Sequence, residues 1–267
     1  MLKKILHLFG KDSTVLPRSA ITTPIEFRPN SHDESIFHTV HTHNEYHLPD
    51  RLSKSDIVID IGAHIGSFGY TVLERGAGYV LAYEAEIQNY KITLKNLSQY
   101  GTKAKVCNQA VWRSDRDGDK LFHTGYTQYQ GKDNTGGGNV IWATGGVPLD
   151  TVSLNTVILT IANEKKARIR LIKVDVEGAE FPILLTASEL GHVDNICGEF
   201  HEMGGQFDQN TIPNHTKIEG YESFTIDSLA NALKEQGFDV SWQRHRPDSH
   251  LGMFFAGRPE ASLWPNK

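Results

Sequence analysis

Three carboxylates, Asp175, Glu177 and Glu180, crowd into the stretch KVDVEGAEF, directly after a short apolar run. A second group, GEFHE, carries Glu199, His201 and Glu202. A third stretch, VIDIGAHIGSFG, sets Asp60 ahead of Gly62, Gly66 and Gly69, and Glu84 follows in YVLAYEA. Carboxylates and a histidine at the ends of strands can orient an acceptor hydroxyl and take its proton. A glycine-rich turn between strand and helix lets backbone approach a ligand and offers free helix N–H groups.

The order of these residues narrows the ligand. A dinucleotide turn reads G-x-G-x-x-G after its strand. Here it reads G-x-x-x-G with a carboxylate in front, which suits an ammonium group and repels a pyrophosphate. Glu84, at the end of the next strand, stands where an acidic residue takes both hydroxyls of a ribose. A nucleoside with an ammonium group and no pyrophosphate describes S-adenosylmethionine. Methyl transfer from it is an in-line displacement, with the acceptor held about 3–3.5 Å away. Asp175 and His201 are the expected groups to orient and deprotonate an acceptor hydroxyl. Glu199 is expected on the face of His201, because side chains alternate along a strand. Glu177 and Glu180 have a second explanation. Negative charge in the first turn of a helix complements its macrodipole by about 0.3–1 kcal/mol each.

The elements that must position these groups follow from periodicity. IVIDIG, YVLAYEA, AKVCNQAVW, IRLIKVDV and NICGEFH read as buried strands. SFGYTVLERG reads as a helix, and SLNTVILTIANEK as another. IQNYKITLKNLSQYG reads as a helix whose apolar face is Ile87, Tyr90, Leu94 and Leu97. A further helix is expected from Glu177 to about Leu190, and a capped one in TIDSLANALKEQGF. DVSWQRH and GMFFAGR read as two closing strands that pair as a hairpin. Alternating strand and helix give a doubly wound, mostly parallel α/β sheet with an antiparallel C-terminal strand pair. Ligands then bind outside the carboxyl ends of the strands. Residues 1–50 read as an irregular cover, with a short helix in ESIFHTV capped by Asp33 and a surface helix in MLKKILHLFGKD. Residues 51–267 read as one domain. Its Gly-rich insertion, at about 113–148, is long enough to be a functional lid.

Taken in order, VIDIGAHIGSF, YEAEIQNYKITLKNL, NQAVW and LIKVDVEGAEFPIL resemble the successive motifs of the FkbM-type methyltransferases. These are class I, Rossmann-like enzymes that use S-adenosylmethionine, mostly for O-methylation of natural products and glycans. The resemblance covers about residues 30–200. It assigns Asp60, Gly62, Ala63 and Gly66 to the methionine part of the cofactor and Glu84 to the ribose. It sets Asn108, Gln109 and Ala110 beside the adenine. It departs from the family at Ala85, where a proline is usual, and at Asn155, where an aspartate is common.

Composition bounds the rest. The chain has 267 residues, 39% hydrophobic and 22% charged, with a net charge of −5. That argues against non-specific binding to a nucleic-acid backbone. The runs KKARIR and RHR read as solvated ends. No apolar run reaches the roughly 18 residues of a membrane span. Cys107 and Cys197 lie in apolar runs and read as buried free thiols, which fits a cytoplasmic protein. The expected partner is a small-molecule or glycan acceptor, with no nucleic acid; oligomeric state is left open. Tyr126, Tyr129, Trp142 and His123 suit a polyhydroxylated acceptor.

Alternatives use the same groups. Asp175, Glu199 and His201 would bind a divalent metal that lowers the acceptor's pKa. The acceptor atom would be nitrogen in an N-methyltransferase. A nicotinamide oxidoreductase is disfavoured by Asp60, and a non-catalytic nucleoside-binding module by the long insertion. His38, His41, His43 and His47 match no tight metal template and read as a polar cover over cofactor or substrate.

Overall fold

The structure is a computed structural model that describes residues 25–116, 119–146 and 148–264. The expected N-terminal surface helix lies outside the described residues. After a short helix α1 (Asp33–Phe37), which runs on into a π-helical turn, come β1 (Ile57–Ile61), α2 (Ser67–Glu74), β2 (Tyr79–Tyr83), α3 (Ile87–Leu97) and β3 (Ala104–Cys107). The chain continues through β4 (Ala110–Trp112), β5 (Thr127–Tyr129), β6 (Lys132–Asn134), β7 (Thr151–Ser153) and α4 (Leu154–Lys165). It closes with β8 (Leu171–Val174), α5 (Glu180–Leu185), β9 (Asn195–His201), α6 (Ile226–Glu235), β10 (Asp239–Arg244) and β11 (Leu251–Gly257).

Seven strands form the main sheet in the order β10-β11-β9-β8-β1-β2-β3. β1 pairs in parallel with both β2 and β8, and the order reverses there, so the switch point falls on β1 and β8. The closing hairpin enters antiparallel, as expected, but β11 and not β10 lies against β9. Burial explains the inversion. β11 is buried at six of seven positions, whereas β10 has none fully buried and forms the edge.

The side-chain alternation of β1 divides the core. Ile57, Ile59 and Ile61 join one apolar cluster with α4, α5 and α6, while Val58 joins the other with α2. Ile25, Phe37, Val40, Tyr46 and Leu48 belong to that second cluster. The N-terminal segment therefore packs into the core and ends at the strand tips.

Four expectations are corrected. Of the apolar stripe assigned to α3 only Leu97 is buried in the core: Ile87 and Leu94 are exposed, and the rest of the buried face is Asn89, Thr93 and Asn96. These polar groups bind backbone, Asn96 donating to the Ile65 carbonyl at 2.8 Å and Thr93 to that of His64. AKVCNQAVW is two strands, because β4 leaves the main sheet to pair with β7. The helix expected from Glu177 begins only at Glu180, since Glu177 has φ +54 and Gly178 φ +105. Asp33 is the first residue of α1 and does not cap it; its carboxylate is spent on Arg28 and Thr135.

Candidate active site

At the carboxyl end of β1 the chain turns through Gly62 at φ +80. A Cβ there would run into the Asp175 carbonyl, so only glycine lets the turns after β1 and β8 lie this close. Beneath the turn, Asp60 is fully buried, and neither carboxylate oxygen has a hydrogen-bond partner. Its counter-charge is Lys173 Nζ at 3.4 Å, which also donates to the Gly62 carbonyl at 2.7 Å. Burial works against the Lys173 charge, but Asp60 and Asp175 outweigh it and raise the pKa. Lys173 is therefore an ammonium clamped under the turn. The sequence signal for it was a lysine inside an apolar strand.

Glu84 closes β2. Its carboxylate accepts from the backbone N–H groups of His64 at 2.7 Å and Glu86 at 2.8 Å. Burial pushes its pKa up to about 7. Asn108 spends its amide on the Glu84 and Ala85 carbonyls at 2.9 and 3.0 Å, fixing the strand end. Gln109 and Ala110 line a narrow cavity of about 70 Å³ with Glu84, Gly62 and Asn89. Its roof comes from the insertion, at His123, Gly136, Gly138 and Val140. Gly66 shapes the turn into α2 at φ +86.

A second cavity, of about 460 Å³, adjoins the first. Gly62, His64, Gly136, Asp175 and Glu177 line both. The larger cavity extends past Ala63, Ser67 and Phe68 on one side and Glu45, Tyr46 and Glu199 on the other. Tyr129 and Asn134 bring the β5–β6 hairpin over it. Ser67, at the start of α2, is buried, and its hydroxyl has no partner.

Sequence reasoning missed the contribution of residues 28–46. The Tyr46 hydroxyl donates to Asp175 at 2.9 Å. The Glu45 carboxylate makes no hydrogen bond or ion pair among the described residues, and its pKa is pushed up to about 8 by burial, with Glu199 and Asp175 adding to the rise. Asp33 binds Arg28 through Nε at 2.8 Å and accepts from Thr135 at 2.7 Å, and His64 Nε2 lies 2.8 Å from the same Thr135 hydroxyl. This group ties the N-terminal segment, the turn after β1 and the insertion together. Burial opposes ionisation of Asp33, but His64 and Arg28 hold its pKa far below the carboxylate range.

His201 is placed differently from the expectation. Its Nδ1 lies 3.2 Å from Glu180 and its Nε2 3.3 Å from Glu177. Burial works against the charge, but Glu180 and Glu177 raise the pKa well above 6.5. An imidazolium with both N–H groups committed has no lone pair, so the base role expected of His201 does not fit. Glu180 is no simple helix-end charge either. It is fully buried and accepts from the N–H groups of Val176 at 2.8 Å and Gly178 at 2.9 Å, holding the loop after Asp175.

Glu199 does share the face of His201, at 3.9 Å, but its closer partner is His245 at 2.5 Å. The metal triad expected of Asp175, Glu199 and His201 therefore does not assemble. Among the described residues the one group within ligating reach is Asp175, Glu180 and His201, and there the carboxylate of Glu180 is already taken by backbone. The histidines of the N-terminal segment point to separate partners: His41 stacks on Phe37 at 4.9 Å and His38 meets Thr42.

The residues present fit S-adenosylmethionine. Glu84 closes a glycine cradle and the start of α2 carries an unpartnered hydroxyl, whereas Asp60, expected at the methionine part of the cofactor, lies buried under the turn on Lys173 and lines neither cavity.

No curated protein matches the chain in sequence. Among solved structures it is similar to precorrin-6y C5,15-methyltransferase from Geobacter metallireducens, at 9% identity and a TM-score of 0.42 over 87% of this chain and 92% of that one. An rRNA methylase from Streptococcus thermophilus gives 9% identity and 0.41 over 87% and 98%. TrmK of M. capricolum, in complex with S-adenosyl-homocysteine, gives 12% and 0.39 over 78% and 63%. The model of the methyltransferase FkbM domain matches residues 60–240. The chain belongs to the FkbM family and is an S-adenosylmethionine-dependent methyltransferase.

Proposed function

We propose that the enzyme methylates a hydroxyl of a small polyhydroxylated acceptor, such as a sugar, a glycan end or a natural product. The observation that carries the reading is the pair of adjoining cavities. Glu84 lines one, Glu45 and Glu199 line the other, and Asp175 lines both. The adenosine belongs in the first, against Glu84, Gln109 and Ala110, and the methionine tail against Gly62, Ala63 and Ser67. When bound, the cofactor supplies an electrophilic methyl on a sulfonium that leaves as a neutral thioether.

The protein's own tasks are then alignment and proton removal. The acceptor hydroxyl would be held in line with that methyl, and its proton would pass to a carboxylate. Asp175 is the group for that task. It lines both cavities and is oriented by Tyr46 at 2.9 Å, with Lys173 Nζ at 3.8 Å. Glu199, in the larger cavity, holds neighbouring hydroxyls of the acceptor. His201 is a positioning residue that fixes Glu177 and Glu180. The acidic lining disfavours a nucleic acid as acceptor, because phosphates would meet Glu45, Glu177 and Glu199. The same reading keeps residues 51–267 as one catalytic domain and residues 1–50 as its cover.

Labelled methyl transfer to a panel of neutral sugars, amino sugars, sugar phosphates and RNA tests the reading. Transfer to oxygen of a sugar, with turnover cut more than about tenfold in Asp175→Asn, is expected. Transfer confined to RNA would overturn it.

A further inference from the structure

The larger cavity has a charge imbalance that the transfer reaction alone does not explain. Glu45, Asp175, Glu177 and Glu199 line it, against one lysine. That lysine is spent below the turn on Asp60 and the Gly62 carbonyl. His201 answers Glu177, and His245 answers Glu199. Tyr46 answers Asp175. The Glu45 carboxylate is left with no hydrogen bond or ion pair among the described residues, repelled by Glu199 and Asp175 and offset by Lys173. Its position is not an accident of a loose loop. Asn44 clamps the turn through both ends of its amide, accepting from the Leu48 N–H at 3.0 Å and donating to its carbonyl at 2.9 Å. Tyr46 beside it is buried and packs edge-on against Phe68 at 5.1 Å. A second, independent sign of a ligand in this cavity is the buried Ser67 hydroxyl without a partner.

A carboxyl held in a cavity without a counter-charge, its pKa pushed up to about 8, keeps its proton near neutral pH while the cavity is empty. It gives the proton up when a cation arrives, which makes it complementary to a cation. We propose that Glu45, assisted by Asp175 and Glu199, forms a cation subsite beside the transferred methyl. It recognises the positive charge of the methyl donor and favours an acceptor bearing an ammonium group over an anionic one. This rests on the methyltransferase reading of the two cavities. Its consequence for turnover is direct. Transfer turns a sulfonium into a neutral thioether, so the subsite holds the donor and loosens its grip on the product.

Calorimetric titration with three probes tests the subsite without knowledge of the acceptor. S-adenosylmethionine carries a sulfonium at the reaction centre. Sinefungin carries an ammonium where the methyl sits, and so stands for an acceptor amine. S-adenosylhomocysteine is neutral there. Glu45→Gln is expected to weaken the first two about fivefold or more, a change of the size that one nearby charge produces, while the third stays within about twofold. Glu199→Gln is expected to act in the same direction, which keeps the test valid if one variant folds poorly. Equal weakening of all three probes would overturn the proposal and make Glu45 a partner of the cofactor's amino-acid end. Unchanged affinities would overturn it as well. Failure of the wild-type protein to bind any of the three would instead overturn the underlying assignment of the cavities, and this proposal with it.

Discussion

The Tyr46 hydroxyl donates to the Asp175 carboxylate across 2.9 Å, although the two residues stand 129 positions apart. One end of this bond is on the N-terminal segment and the other is just past β8. The contact makes the segment part of the wall of the larger cavity. Tyr46→Phe removes the hydroxyl and keeps the ring. The expected loss is about 1.5–3 kcal/mol, the range for a hydrogen bond to a charged group. Urea unfolding of the pure protein measures it, and an unchanged midpoint would mean that the bond contributes nothing.

Gly62 is expected to tolerate no side chain. Its φ of +80 alone costs a non-glycine residue about 1–3 kcal/mol, and the Cβ would also meet the Asp175 carbonyl. Gly62→Ala should lower the melting temperature and abolish binding of S-adenosylhomocysteine. Full-affinity binding by a folded Gly62→Ala protein would contradict this placement of the turn.

These two sites show what the sequence carried and what it did not. The placement of Asp60, Gly62 and Glu84 at the ends of two neighbouring strands was legible because a strand, a turn and the next strand lie close along the chain; the burial of Asp60 on Lys173, outside both cavities, was not. The strands β1, β2, β8 and β9 were legible for the same reason. Glu45, Tyr46 and the Arg28–Asp33–Thr135 contacts were not, because each joins segments far apart in sequence. The face of α3 was misjudged because its buried side is polar: Asn89, Thr93 and Asn96 satisfy loop backbone, so hydropathy pointed to the exposed side. The turn at Glu177 was hidden by a helix-like sequence and is held by Glu180 and His201 from outside.

Binding of the adenosine should depend on pH through Glu84. Burial raises its pKa from 4.5 to about 7, so in the free enzyme the carboxylate gains a proton as pH falls through about 7. Ribose hydroxyls donate to the ionised form and favour it. Affinity for S-adenosylhomocysteine should therefore rise with pH up to a plateau above about 7, with proton release on binding near that pH. Calorimetry in buffers of different ionisation heat reads the released proton. Absence of any proton release would detach Glu84 from the ribose.

His201 predicts the opposite slope for stability. Its folded pKa lies well above 6.5, with burial opposing the charge and Glu180 and Glu177 prevailing. Its contribution is fully present below the unfolded value and is lost as pH rises through the folded one. Unfolding free energy should decline on the alkaline side, and His201→Gln should flatten that decline. An identical alkaline slope in the variant would remove the imidazolium from the account.

The proposed placement of the adenosine in the first cavity requires the insertion to give way. The first cavity, at about 70 Å³, is well below the roughly 300 Å³ at which ligand pockets begin. Its roof is tied down by Thr135 through Asp33 and His64. Limited proteolysis should show cleavage between residues 119 and 146 change with S-adenosylhomocysteine present. Arg28→Ala removes the guanidinium partner of Asp33 and should raise cleavage there in the free protein, whereas indifference to both treatments would mean a fixed roof.

The most direct test of the account is calorimetric titration of the protein with S-adenosylhomocysteine, beside the Glu84→Ala variant and beside NAD. The account predicts binding to the wild type, loss of about tenfold or more in Glu84→Ala, and no heat with NAD. Equal affinity in wild type and variant, or binding of NAD in place of the thioether, would contradict the assignment of the first cavity to the adenosine.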